Sequence, residues 1–303
     1  MRRARRALPD ALACPSVVTL LRLSIAEDVD RAGEWAPDRS APAEHDVTSR
    51  ATLDPDAFLR GRLLAKESGV VAGLPLARAL FRLVDADLTL TPEVEEGAPV
   101  ESGQTVAAVE GPGRALLAAE RPALNFVGRL SGIATLTRRF VDAVAHTDAD
   151  VLDTRKTLPG HRRPDKYAVR QGGGRNHRMG LYDMVLVKDN HIDAAGGITD
   201  AVQRVRAAHG DAYPIEVEVK TLDELDEALP LAPDSILLDN MDLDTLRRAV
   251  TRAADADDSV ALEASGGITL DTVQAVAETG VDRISVGALT HSAQTLDVSI
   301  RTR

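Results

Sequence analysis

The chain has 303 residues, enough for one large or two ordinary domains with well-buried cores. Hydrophobic residues at 44% and charged residues at 27% exclude a disordered chain, and no apolar run approaches the ~20 residues of a membrane helix. The net charge of -11 speaks against a nucleic-acid-binding module, and the single cysteine, Cys14, excludes an intrachain disulfide framework and a Cys-rich zinc site.

The start, MRRARRALPDALACPSVVTLL, is basic, but Asp10 and Pro15 interrupt its apolar residues, so it lacks the uninterrupted core of a signal peptide. It predicts a cytoplasmic protein with a loose N-terminal tail. Residues 27–49, acidic and rich in Pro and Ala, predict a surface loop. Between 52 and 115, short alternating runs broken by Gly, Pro and acidic pairs predict an antiparallel sheet with tight turns, in a separate α+β domain. A helical run over about 115–145 should bridge it to the next domain.

From 149 onward, short apolar runs alternate with helical stretches. The runs are ADVLDT (149–154), MVLVKD (184–189), PIEVEV (214–219), SILLDN (235–240), SVALEAS (259–265) and DRISVG (282–287). TDAVQRVRAAHG, TLDELDEAL, DLDTLRRAVTRAA and TLDTVQAVAETG carry apolar residues at helical spacing, several with Thr or Asp where an N-cap belongs and two ending at Gly210 and Gly280 where a C-cap belongs. Strands separated by helices pair in parallel through right-handed crossovers. Six of them predict an open or incomplete (β/α) barrel, in an α/β chain divided into 16–128, with 292–303 a candidate to return to it, and 129–291. Asp153, Lys188, Glu218, Asp239, Ser265-Gly266 and Gly287 all fall at or near the C-terminal ends of these strands, the end where parallel barrels carry their active sites.

One segment opposes the acidic balance. Residues 153–188 hold nine lysines and arginines (155, 156, 162, 163, 166, 170, 175, 178, 188) against three aspartates, with two histidines besides. Cations this dense repel one another unless a polyanion sits among them or water dissolves the segment. Arginine outnumbers lysine 31 to 5, which a GC-rich genome or a high-salt setting explains, but the few lysines retained also single out Lys156 and Lys188 as compact point charges. SGGI (265–268) and VGALTH (286–291), after the last two strands, have the composition of a phosphate cradle. Glu218 and Asp239 read either as a hydroxyl-binding pair that supports Mg²⁺ or as partners of the basic cluster; their place at strand ends favours the first. No histidines pair at zinc-ligand spacing.

In this order the residues resemble the quinolinate phosphoribosyltransferase family. The segment DTRKTLPGHRRPDKYAVRQGGGRNHRMGLYDMVLVKDNHI (153–192) carries the likeness. It continues in EVEVKTLDE, ILLDNM, EASGGI and DRISVGALTHS, and earlier in AGLPLARALFRL, AERPALNF and RLSGIATLT. The resemblance implies a type II phosphoribosyltransferase architecture: an N-terminal α/β sandwich domain plus an open barrel, in dimers or higher oligomers whose active sites lie between subunits. It implies transfer of the phosphoribosyl group of phosphoribosyl pyrophosphate (PRPP) to quinolinate, with Mg²⁺ and with loss of CO2. By matching position, Arg155, His177, Arg178 and Lys188 would hold the pyridine dicarboxylate, with Arg121 from the neighbouring subunit. Lys156 would meet the pyrophosphate. Glu218 and Asp239 would bind the ribose hydroxyls and assist the metal, and Ser265, Gly266, Gly267, Gly287 and His291 would cradle the 5'-phosphate. The likeness implies neither a nucleic-acid nor a membrane partner.

Three features depart from the family pattern: Pro122 stands where Thr is more usual, about 31–45 is an insertion, and the chain is unusually acidic outside the motif. A nicotinate-specific relative, a polyanion-binding module and a Schiff-base lyase using Lys188 are the rival readings. The full set of carboxylate-binding cations weighs against the first, and the acidic balance and strand-end placement of the cations weigh against the second; the third predicts borohydride trapping with a carbonyl substrate.

Overall fold

The computed structural model describes residues 8–30, 41–256 and 260–302. In chain order, helix α1 (Pro15–Val29) and helix α2 (Val47–Thr52) precede strands β1 (Phe58–Ala65) and β2 (Gly69–Val70). Helix α3 (Leu74–Val84), strands β3 (Thr89–Pro92), β4 (Pro99–Val100) and β5 (Thr105–Pro112), and the long helix α4 (Gly113–Val144) come next. Then come β6 (Asp150–Leu152), α5 (Arg162–Gln171), β7 (Val185–Val187), α6 (Asp189–Ala195), α7 (Ile198–His209), β8 (Ile215–Val219) and α8 (Leu222–Ala228). The chain ends with β9 (Ser235–Asp239), α9 (Leu243–Ala256), β10 (Ala261–Ser265), α10 (Val273–Ala277), β11 (Arg283–Ser285), α11 (Ala288–His291) and β12 (Val298–Thr302).

These elements form two compact units. The first comprises the described residues of Met1–Leu136, Thr157–Gly173 and Ala293–Arg303; the second comprises those of Thr137–Lys156 and Gly174–Ser292. The segment 157–173, which the sequence groups with the 129–291 domain, packs with the first unit.

In the first unit an antiparallel sheet runs in the order β12-β1-β5-β3. The alternating runs that predict it are interrupted by α3, whose Leu76, Ala77, Leu80 and Phe81 are fully buried. The carboxylate of Glu96 accepts hydrogen bonds from the first free backbone N–H groups of that helix, at Gly73 and Leu74, and from the hydroxyl of Tyr167 on α5. Also on α5, the Asp165 carboxylate is fully buried and receives a two-pronged ion pair from Arg129, at 2.8 and 3.1 Å. Removing one partner of such a pair costs roughly 3–5 kcal/mol, because the other is left buried and charged.

Two expectations fail here for local reasons. The N-terminal stretch is no loose tail over its described part: Leu8 and Leu12 are buried, and Pro15 opens α1, where its missing N–H goes unneeded. The loop expected over 27–49 begins inside α1 and ends inside α2, whose N-cap Asp46 accepts from the Thr48 and Ser49 N–H groups; residues 31–40, most of the insertion, lie outside the described residues. Helix α4 runs without interruption through Pro122, which deprives the Ala118 carbonyl of its usual donor, and Arg121 beside it is exposed.

In the second unit all six runs are strands. They form one parallel sheet in the order β6-β11-β10-β9-β8-β7, an open α/β barrel in which no ladder joins β6 to β7 among the described residues. Residues 175–177 run beside β6 at this seam: the Arg175 N–H donates to the Val151 carbonyl, and the Asp153 N–H donates to the Arg175 carbonyl. Alternation along β8 buries Ile215, Val217 and Val219 on one face and turns Glu216 and Glu218 to the other. Two crossover helices start as the sequence predicts. Thr221 forms a capping box with Glu224 at α8, and Asp242 accepts from the Thr245 N–H at the start of α9. Helix α7 begins after Gly197 instead of at a Thr cap, and α10 is shorter than its apolar pattern, ending three residues before Gly280.

Candidate active site

The strand order places the C-terminal ends in a fixed sequence across the second unit. From one edge to the other these are Arg155 and Lys156 after β6, Gly287 and His291 after β11, Ser265-Gly266-Gly267 after β10, Asp239 on β9, Glu218 on β8, and Lys188 after β7. Register aligns Asp239, Ser265, Ser285 and Leu152 in one row. Cations thus stand at both edges, acids on the strands near β7, and glycine loops between. Arg121 belongs to the first unit.

The basic segment is divided. Arg155, Lys156, Arg175, Arg178 and Lys188 lie in the second unit, whereas Arg162, Arg163, Lys166 and Arg170 are carried by α5 of the first, where Lys166 is fully buried. Arg175 pairs with Asp150 at 2.9 Å. Asp153, expected among the polar groups facing the site, is instead fully buried: its carboxylate accepts from the Asn176 amide at 2.6 Å and from the His177 N–H at 3.0 Å.

The glycine loops are built by close approach. The Gly266 φ of +102° suits glycine, and a Cβ there would stand 2.2 Å from Oδ1 of Asn240. Asn240, itself in the left-handed region at φ +55°, donates its N–H to the Ser265 carbonyl at 2.8 Å and its amide to Asp239 at 2.8 Å. At Gly287 a Cβ would come within 3.1 Å of both the Lys156 side chain and Nε2 of His291. The Thr290 hydroxyl donates to the Lys156 carbonyl at 2.9 Å, tying the loop after β6 to the turn after β11.

Charge is arranged accordingly. Burial raises the pKa of Glu218, as do the nearby carboxylates of Asp239 and Asp189, against the pull of Lys220 and Lys188. Lys220 bonds Asp189 at 2.9 Å. Asp239 and Asp189 thus stand near enough to Glu218 to act on its charge, and Asp189 is itself paired with Lys220. Arg178 has its pKa lowered by burial and then by the Arg155 guanidinium beside it. Two guanidinium groups held together mark a place for an anion.

Beneath lies a group that strand-end reasoning on the sequence misses. His177 Nε2 sits 2.9 Å from Glu216 and 3.5 Å from Glu263, with both carboxylates 1% exposed. The Ser235 hydroxyl donates to the other oxygen of Glu216 at 2.9 Å. Glu263 is pushed up to about 7 by burial and by Glu216, against His177, Ser285 and Arg283. A cavity of about 250 Å³ adjoins the pair, lined also by Asp150, Arg175, Arg178, Met184 and Arg283. The alternation in IEVEV held the signal: Glu218 at a barrel's inner face implies Glu216 two residues earlier on that face.

Because the native state holds the Glu263 proton above the ordinary 4.5, its contribution to stability is complete below pH 4.5 and is lost as pH rises through about 7. Glu263→Gln, which cannot ionise, flattens this part of the curve, as urea unfolding between about pH 5 and 8 measures.

The fold and the rim together define an anion-handling α/β-barrel enzyme. Comparison with known proteins narrows this. Residues 46–131 match the quinolinate phosphoribosyl transferase N-terminal domain and residues 133–301 its C-terminal domain, so the chain belongs to the quinolinate phosphoribosyltransferase family. It is 46% identical over 258 residues to the nicotinate-nucleotide pyrophosphorylase [carboxylating] of Mycobacterium leprae, covering 84% of this chain and 90% of that one. With the chloroplastic enzyme of the same name from Arabidopsis thaliana it shares 42% identity over 302 residues, 93% of this chain and 81% of that one. The nicotinate-nucleotide pyrophosphorylase from Francisella tularensis superposes with a TM-score of 0.87 at 35% identity, covering 97% and 99% of the two chains.

Proposed function

We propose that this chain transfers the phosphoribosyl group of PRPP to the ring nitrogen of quinolinate, with decarboxylation, giving nicotinate mononucleotide, pyrophosphate and CO2 for NAD synthesis. The observation that carries this reading is the rim itself: two families of cations on either side of an acid-and-glycine centre, in a chain of this family. Arg155, His177, Arg178 and Lys188 line the dicarboxylate subsite, where a guanidinium presents paired N–H donors to a ring carboxylate. Lys156 meets the pyrophosphate. Ser265, Gly266, Gly267, Gly287 and His291 surround the 5'-phosphate, and Glu218 and Asp239 bind the ribose hydroxyls. Glu218 and Asp239 would also hold Mg²⁺, which supplies charge neutralisation of the leaving pyrophosphate when bound.

As pyrophosphate departs, the ribose C1 gains oxocarbenium character. The carboxylates near the sugar favour that positive charge while Lys156 favours the negative charge on the leaving group. The pyridine nitrogen then bonds to C1 without a protein nucleophile. Positive charge on that nitrogen stabilises the electron pair left at the adjacent ring carbon when the 2-carboxylate departs as CO2, and a proton then bonds to that carbon. Turnover of quinolinate with stoichiometric release of CO2 and pyrophosphate tests the reading; pyrophosphate release without CO2 contradicts it.

The chain acts as a homodimer or a higher oligomer in the cytoplasm, with Arg121 reaching the rim of a neighbouring subunit; its exposure on α4 supports this. Among the described residues no helix is long and apolar enough to cross a membrane. Mixing inactive Arg121→Ala and Arg178→Ala proteins restores activity to about a quarter of wild type, since half of randomly exchanged dimers carry one intact site. Activity that stays absent after demonstrated subunit exchange would place Arg121 in its own subunit's site.

A further inference from the structure

The His177 ring is held at both of its nitrogens. Its Nδ1 accepts the backbone N–H of Arg178 at 2.7 Å, so that nitrogen carries no proton, and the neutral ring must then carry its proton on Nε2, which faces Glu216 at 2.9 Å. Both nitrogens are committed within the protein, and the ring is 9% exposed. The same tautomer argues against a cation among His177, Glu216 and Glu263, although their donor atoms lie within 4.8 Å of one another. A metal on Nε2 would force a proton onto Nδ1, against the Arg178 N–H. Arg178 has one further tie, from its guanidinium to the Met184 carbonyl at 3.2 Å. The chain of contacts therefore runs from Ser235 to Glu216, to the His177 ring, to the backbone of Arg178.

We infer that Glu216 is a positioning residue for dicarboxylate binding: it fixes the tautomer of His177, whose ring in turn holds the backbone of Arg178. This rests on the quinolinate reading above. Neither Glu216 nor Ser235 contacts a reacting atom. Removing the Glu216 carboxylate frees the ring to turn, releases the Arg178 N–H, and loosens the guanidinium that grips the substrate. A loss of this kind falls on quinolinate and spares PRPP.

Two measurements test it. In wild-type protein labelled with ¹⁵N-histidine, without substrate, the His177 signal, assigned by its loss in His177→Gln, shows a protonated Nε2 and a bare Nδ1 at about pH 7.5. A protonated Nδ1 overturns the inference whatever the enzyme's activity. In steady-state kinetics, Glu216→Ala raises the KM for quinolinate by about tenfold or more, leaves the KM for PRPP and kcat at saturation within about threefold, and Glu216→Gln, whose amide oxygen still accepts from Nε2, restores the wild-type KM within about threefold. An unchanged quinolinate KM, or an equal rise for both substrates, refutes it. Should Glu216→Ala not fold, Ser235→Ala decides by the same pattern at about threefold. Wild-type protein that turns over no quinolinate refutes the functional reading, and this inference with it; active wild type with an unmoved Glu216→Ala refutes the inference alone.

Discussion

Arg178→Ala lowers kcat/KM for quinolinate by about 100-fold or more, the equivalent of roughly 2.7 kcal/mol, while the KM for PRPP stays within about threefold. Burial and then the neighbouring Arg155 guanidinium lower the pKa of the half-buried Arg178, and its backbone is fastened to His177. A cation placed at such cost against its neighbour returns the energy when an anion arrives between them. Alanine leaves a carboxylate of the substrate without its paired donors. Arg178→Lys recovers only part of the loss, because an ammonium cannot present two parallel N–H groups. Steady-state kinetics with each substrate varied in turn checks both variants; a loss shared equally by the two substrates would move Arg178 out of the dicarboxylate subsite.

Gly266→Ala has the second large effect, a loss of about 100-fold in kcat/KM for PRPP. The backbone stands at φ +102°, where a side chain is strained, and the added methyl would overlap Oδ1 of Asn240 at 2.2 Å. Asn240 cannot move freely, since its amide holds Asp239 and its N–H holds the Ser265 carbonyl. The disturbance thus reaches the sugar-binding acid and the phosphate loop together. The neighbouring Gly267 offers the control: at φ +61° a Cβ meets nothing within 4 Å, so Gly267→Ala costs about 1 kcal/mol of backbone strain and no overlap. Comparable losses in the two variants would mean that backbone strain, and not the contact with Asn240, governs the loop.

The strands of the barrel are readable because each apolar run is short, separated by a helical period and closed by a polar residue or a glycine, as in SILLDN and DRISVG. Their C-terminal residues identify the rim for the same reason. What sequence does not supply is the third dimension within a single segment. The cations of 153–188 look like one cluster, yet the chain leaves the second unit at Thr157 and returns at Gly174, so α5 takes four of them elsewhere. Helix α3 escapes notice because LPLARALFRL is uniformly apolar on its buried side and sits between strand-like runs. Asp153 is misread because a charged residue at a strand end suggests a ligand contact, and Glu216 is overlooked because it lies near the start of β8; both serve hydrogen bonds under the rim. Burial and ring tautomer depend on contacts between distant parts of the chain, and spacing alone does not encode them.

The central claim is that the rim accepts a pyridine with two adjacent carboxylates. Purified protein with Mg²⁺ and PRPP, given quinolinate in one tube and nicotinate in another, tests it by the appearance of nicotinate mononucleotide. Product from quinolinate alone is the expected result; product from nicotinate alone, or from neither, would contradict the assignment of Arg155, Arg178 and Lys188 to a dicarboxylate.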